Sequence, residues 1–237
     1  MKIFLVIIPV IGLILPSVVP AGEESIVLRY DFNPPRFEAE GRYFGVTMAD
    51  LPLMQNAGQP ALPYKSLRVL IPRGREVQNI EIEEGEKVTL EGSYMIRPAL
   101  QPVPLSYQGE PVSTSLDREI YDSLAPFPPE MQSDVSIQQK GPYRVLLLNI
   151  HPVSYVPATG KISYYTSLTV KVRLEPAMER FARGAARRPV PEDTASIGRR
   201  VENPASLSSY LSGEIDTGDE GDGEPLLKSG PLGDYPT

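Results

Sequence analysis

The 237-residue chain has no cysteine, no tryptophan and a single histidine, His151. Without cysteine there is no disulfide, no thiolate nucleophile, no thiolate metal ligand and no lipid anchor on a cysteine. A domain without these cross-links must be held by core burial alone. Basic residues are also in short supply. Twenty-three Lys and Arg stand against thirty Asp and Glu, for a net charge of −7. An acidic chain repels phosphate backbones, so nucleic acid is not an expected partner. The Gly-x-Ser-x-Gly elbow, the phosphate-binding glycine loop and His-Glu-x-x-His are all missing, and no cofactor or metal is implied. His151 has no Cys, serine elbow or spaced carboxylate to work with, so it reads as a structural or strand-end residue rather than a catalytic base. The chain itself is therefore not expected to be an enzyme.

What is present begins with an export signal. Lys2 precedes an apolar run from Ile3 to Leu15, followed by Pro-Ser-Val-Val-Pro-Ala with Val19 and Ala21 placed as small residues before a signal-peptidase cut. Residues 1–21 read as a signal peptide cleaved after Ala21. The run is shorter than the roughly 20 residues of a membrane span. Retention as an anchor is the other reading, and the flanks favour cleavage. No later run is long enough to span, so a secreted or cell-surface protein without a stable membrane span is expected.

Residues 22–176 alternate short apolar runs with Pro and Gly, the pattern of an all-β, antiparallel β-sandwich of roughly eight to ten strands. Ile26, Leu28 and Tyr30 share one face, as do Phe44, Val46 and Met48, and Leu67, Val69 and Ile71. Ile80 and Ile82 lead through Glu83-Glu84-Gly85-Glu86 to Val88 and Leu90, a hairpin signal. Tyr143 to Ile150 is nearly continuously apolar, as in a central strand buried on both faces. A turn at residues 157–160 leads into one long alternating run, Ile162 to Leu174. Residues 101–139 are proline-rich with few apolar runs, and read as a long, functional loop. Residues 177–200 form an Arg-rich segment. Residues 201–237 form an acidic, Gly-rich linker, and from Pro189 onward no burial is expected. The run Asp216, Asp219, Glu220, Asp222 and Glu224 lacks calcium-loop spacing and reads as solvated linker.

Two stretches carry a resemblance. Gly58-Gln-Pro-Ala-Leu-Pro-Tyr-Lys-Ser-Leu-Arg-Val-Leu-Ile-Pro-Arg-Gly74 has the form Gly-x-Pro-x-Leu-Pro, apolar strand, Pro-x-Gly. Gly141 to Ile162 has a strand leading to Pro-Val-x-Tyr-x-Pro, a short turn and another strand. In both form and order these resemble the propeptides of gingipain-type cysteine endopeptidases (peptidase family C25). The prolines and glycines also serve any β-sandwich as strand entries and turns. The resemblance implies a prodomain that keeps a cognate cysteine peptidase domain latent, assists its folding and is removed by proteolysis. That partner would lie in cis in a precursor or in trans, and the chain reads as the front of a longer precursor or a truncated product. In this family a basic side chain on a loop fills the peptidase's substrate pocket. Loop placement alone makes Arg118 and Lys140 the candidates, each set against an ordinary surface charge. Arg187, Arg188, Arg199 and Arg200 are candidate processing sites, or simply a solvated basic segment. An exported β-sandwich binding or adhesion module for a glycan or surface protein is the alternative. Its abundant tyrosines are offset by the absence of tryptophan.

Overall fold

A computed structural model of the chain describes residues 24–101, 103, 106–109, 115–177 and 189–211. Eleven strands form antiparallel sheets: β1 Glu24–Asp31, β2 Arg36–Glu40, β3 Tyr43–Thr47, β4 Lys65–Ile71, β5 Arg75–Glu84, β6 Lys87–Thr89, β7 Gln132–Lys140, β8 Tyr143–Ile150, β9 Val153–Val156, β10 Lys161–Tyr165 and β11 Ser167–Pro176. The sheet β1-β11-β5 packs on β4-β8-β7. Leu67, Val69, Leu146 and Leu148 meet Val170 and Val172 between these sheets. These are the period-2 positions of the sequence, and one-sided burial is what that period encodes. A second core lies where β2-β3 and the loop before β4 meet β6-β10-β9, around Val46, Leu62, Ile96, Tyr155 and Ile162. The expected antiparallel β-sandwich is thus the observed fold.

The chain passes between the two cores at a waist, and there the sequence misleads. Ile80–Ile82 and Val88–Leu90 are not a hairpin, because β5 pairs with β11 and β6 pairs with β10. Gly85 donates its N–H to Ser167 O (2.9 Å) and Thr166 donates to Glu86 O (2.9 Å). A Cβ on Gly85 would lie 2.8 Å from Ser167 O, so only glycine allows the crossing. For the same reason the run Ile162–Leu174 is two strands in two sheets, broken at Thr166.

The region 101–139 is less open than expected. It contains a one-turn helix, α1 (Arg118–Tyr121), and ends in β7, which pairs with β8. The tail also departs from expectation. Residues 189–211, read as processing segment and linker, form helix α2 (Pro191–Gly198), a 3-10 turn (Pro204–Leu207) and a short helix α3 (Ser208–Leu211). This strap buries Ile197, Val201 and Tyr210 against Leu70, Tyr143 and Val145 on the outer face of β4 and β8. It is the second cover that the continuous apolar run of β8 requires. The strap also closes the outer edge of β4. Asn203 accepts from Leu70 N (2.8 Å) and donates to Leu70 O (2.9 Å), while Glu202 N donates to Arg68 O (2.8 Å). Among the described residues no helix is long and apolar enough to cross a membrane.

Candidate functional site

Arg118 opens α1, with its side chain exposed and without an ion pair to any described residue. Its position is set by contacts on either side. Asp117 caps the helix, its carboxylate accepting from Ile120 N (3.4 Å), and its own N–H donates to Gly58 O (3.1 Å). Gly58 has φ +83°, and a Cβ there would lie 2.8 Å from Ser115 O. The first glycine of the Gly-x-Pro-x-Leu-Pro stretch therefore supports the base of the Arg118 loop, a role sequence reasoning missed because the contact is non-local.

Behind Arg118 the helix is held by a tyrosine pair. Tyr121 Oη donates to Ile96 O (2.7 Å), and Tyr155 Oη accepts from Ile96 N (3.3 Å) and donates to Tyr94 O (2.9 Å). Burial pushes both hydroxyls above the ordinary tyrosine range, so they stay protonated and keep these bonds. The result is a cation presented from a fixed helix end, at the rim of a cleft of about 660 Å³ that Tyr94, Leu116 and Thr159 also line. Leu100, Val103, Tyr107 and Leu124, from the same part of the chain, leave apolar surface exposed. A protruding guanidinium of this kind can enter an acidic pocket by paired hydrogen bonds.

Lys140 lies at the far end of β7, where its ammonium pairs with Asp193 of α2 at 2.9 Å. The structure thus separates the two inhibitory candidates, with Arg118 free to project and Lys140 bound to the strap. Arg199 and Arg200 follow α2, with exposed side chains. Their backbone N–H groups donate to Ala195 O (3.3 Å) and Ile197 O (2.9 Å), between buried Ile197 and Val201. Arg187, Arg188, the signal cleavage at Ala21 and the acidic run from Asp216 lie outside the described residues.

His151 sits at the waist between β8 and β9, almost fully buried. Its Nε2 is 3.0 Å from Ser133 Oγ, and Ser133 donates to Asp134 Oδ2 (3.1 Å). The grouping contains Ser, His and Asp, but in the wrong order for nucleophilic chemistry. There an imidazole takes the serine's proton while the carboxylate holds its far nitrogen. Here the carboxylate takes the serine's hydrogen bond, and His151 Nδ1 has no partner. Asp134 also accepts from Asn149 Nδ2 (2.7 Å), so the group clasps the bulged start of β7 to β8.

Burial holds the His151 imidazole below its ordinary value, with the charge of Asp134 partly opposing the shift. The unfolded chain takes up this proton near about pH 6.5, and the folded chain only at lower pH. Between those values the unfolded state binds more protons, so stability rises with pH and falls on acidification. The urea midpoint is expected to drop as the pH is lowered through about 6.5, and the His151→Gln variant should show a flatter profile. Equal profiles for the two proteins would refute this.

The family model described as Propeptide_C25 matches residues 18–188. Two solved structures share the fold. One is the complex of RgpB pro- and mature domains from Porphyromonas gingivalis, with 16% identity and a TM-score of 0.53, covering 68% of this chain and 84% of that one. The other addresses the zymogenic latency of gingipain K from the same organism, with 16% identity and a TM-score of 0.56, covering 66% and 90%. No curated protein matches. The family match runs through both sequence stretches that carried the resemblance and through all eleven strands, and on that ground the chain belongs to the C25 propeptide family.

Proposed function

We propose that this chain is an exported prodomain that keeps a gingipain-like cysteine endopeptidase latent, assists its folding and is removed by proteolysis. The observation that carries the reading is the exposed Arg118 guanidinium, held at the start of a helix fixed by Gly58, Asp117 and Tyr121, within a family of peptidase propeptides. The partner is the peptidase domain, bound in cis or in trans. Arg118 is the residue that enters its substrate pocket. The glycan-binding alternative has less to stand on, since Tyr121, Tyr143, Tyr155, Tyr164, Tyr165 and Tyr210 are all buried.

Processing fits Arg187–Arg188 better than Arg199–Arg200. A protease needs extended, accessible chain, and the second pair is held at a helix end between two anchoring side chains. The test is inhibition of a C25 peptidase domain in trans by the chain from residue 22 onward. Submicromolar inhibition is expected. Arg118→Ala should weaken it by about tenfold to a hundredfold, the worth of hydrogen bonds to a charged group. No inhibition at high micromolar concentration would overturn the reading, and unchanged potency of Arg118→Ala would remove that residue from it.

A further inference from the structure

The sheet β4-β8-β7 has two edges, and the chain treats them differently. On β4 the groups pointing away from β8 belong to Arg68 and Leu70, and the strap satisfies them through Glu202 and Asn203. Antiparallel pairing alternates, so on β8 the residues bonded to β4 include Arg144 and Leu146. Their opposites on β7 are Gln139 and Ile137, whose N–H and C=O groups therefore point out of the sheet. No described backbone group bonds them.

Natural edges are blunted with charge, proline or bulges. From Val135 to Gln139 the strand reads Val-Ser-Ile-Gln-Gln, with no charge and no proline. The bulge lies before Ser136, and the neighbouring Lys140 is occupied by Asp193. Val135 and Ile137 are 48% and 44% exposed. Ile137 stands opposite Leu146, so it extends the apolar layer of the first core beyond the last strand. An added strand with an apolar side chain beside Ile137 would continue that layer.

We propose that the peptidase domain docks here, adding one of its own extended segments as a further strand beside residues 136–139. Backbone hydrogen bonds to Ile137 and Gln139 give affinity, and the apolar residue beside Ile137 gives register. The occupant is the peptidase because the start of β7 adjoins α1, the helix that Arg118 opens. Gln132 and Ser133 of β7 line one cleft of about 590 Å³ together with Glu119 and Ile120 of α1. Arg118 itself lines a separate cleft on the same short helix, so a partner that receives it and follows α1 reaches the start of β7, from which the open edge runs on. This inference rests on the prodomain reading.

The test is amide hydrogen exchange on the full chain, alone and bound to a C25 peptidase domain whose active-site thiol is alkylated. Ile137 and Gln139 are expected to exchange as open amides in the free chain and at least tenfold more slowly in the complex. Ile137→Pro removes only an outward N–H, a position where an edge strand accepts proline. It should weaken binding at least tenfold with an unchanged near-ultraviolet circular dichroism spectrum. Ile137→Lys, which keeps the N–H and adds charge, should also weaken it. A complex that forms without slowing at these two amides overturns the edge proposal and leaves the prodomain reading standing. Absence of any complex with the unsubstituted chain overturns both. Slowing in the free chain together with a dimer mass would assign the edge to a second copy and overturn the proposal.

Discussion

A chain ended at residue 188, where the family match stops, is expected to lose the cooperative fold of the β4-β8-β7 sheet. The strap lies wholly beyond that point, yet it covers Leu70, Tyr143 and Val145, which would otherwise form an apolar patch on an exposed sheet face. Tyr210 alone is packed against Tyr143 with ring centroids 4.9 Å apart and donates its hydroxyl to Ile71 O at 2.5 Å. Loss of a buried aromatic of this kind costs about 3–5 kcal/mol. Removing Asn203 leaves both backbone groups of Leu70 without these partners, at about 1–3 kcal/mol for an unmet buried group. Either loss is a large fraction of the roughly 5–15 kcal/mol that holds a domain together. The truncated chain should therefore bind a hydrophobic dye, run as oligomers on gel filtration and unfold at much lower urea than the chain to residue 237. A monomeric 22–188 chain with an unchanged urea midpoint would show that the strap is dispensable.

Most strands were legible because period-2 alternation marks a half-buried strand wherever it occurs. Ile26, Leu28 and Tyr30 on β1, and Val170 and Val172 on β11, pack as their spacing indicates. That same periodicity does not name the partner. Ile80–Ile82 and Val88–Leu90 alternate as a hairpin would, but the turn between them is a sheet crossing set by the contact of Gly85 with Ser167, more than eighty residues away. The strap escaped notice for a different reason. Ile197 and Tyr210 sit in two short helices and Val201 in the stretch between them, too little regular structure to establish a period. The one hint lay on the other side of the contact, in the unbroken apolar run of β8, which asked for a second cover. At the site, exposure of Arg118 followed from loop placement. Its support by Gly58 and Tyr121, and the diversion of Lys140 to Asp193, depend on tertiary contacts that no local pattern records.

Those supports make Tyr155 the position where one substitution should cost both stability and inhibition. Its ring is fully buried in the second core, its backbone exchanges hydrogen bonds with Phe127, and its hydroxyl joins Ile96 N to Tyr94 O. Tyr155→Ala is expected to cost about 3–5 kcal/mol, the range for emptying a buried aromatic site. Ile96 would be left free to shift, and its carbonyl is what Tyr121 grips to hold α1. Tyr121→Phe separates the two effects. It keeps the ring in place, removes only the hydroxyl bond to Ile96 O and costs about 1–3 kcal/mol. If α1 is the presenting element, Tyr121→Phe should leave the chain folded at 25 °C yet weaken inhibition by several-fold. Arg118→Ala added to it should then cost less than it does in the unsubstituted chain, because a loosely presented guanidinium has less binding to lose. Thermal melts and inhibition constants for the four combinations check this. Strictly additive losses from Tyr121→Phe and Arg118→Ala would mean that the tyrosine stabilises the fold without presenting the arginine.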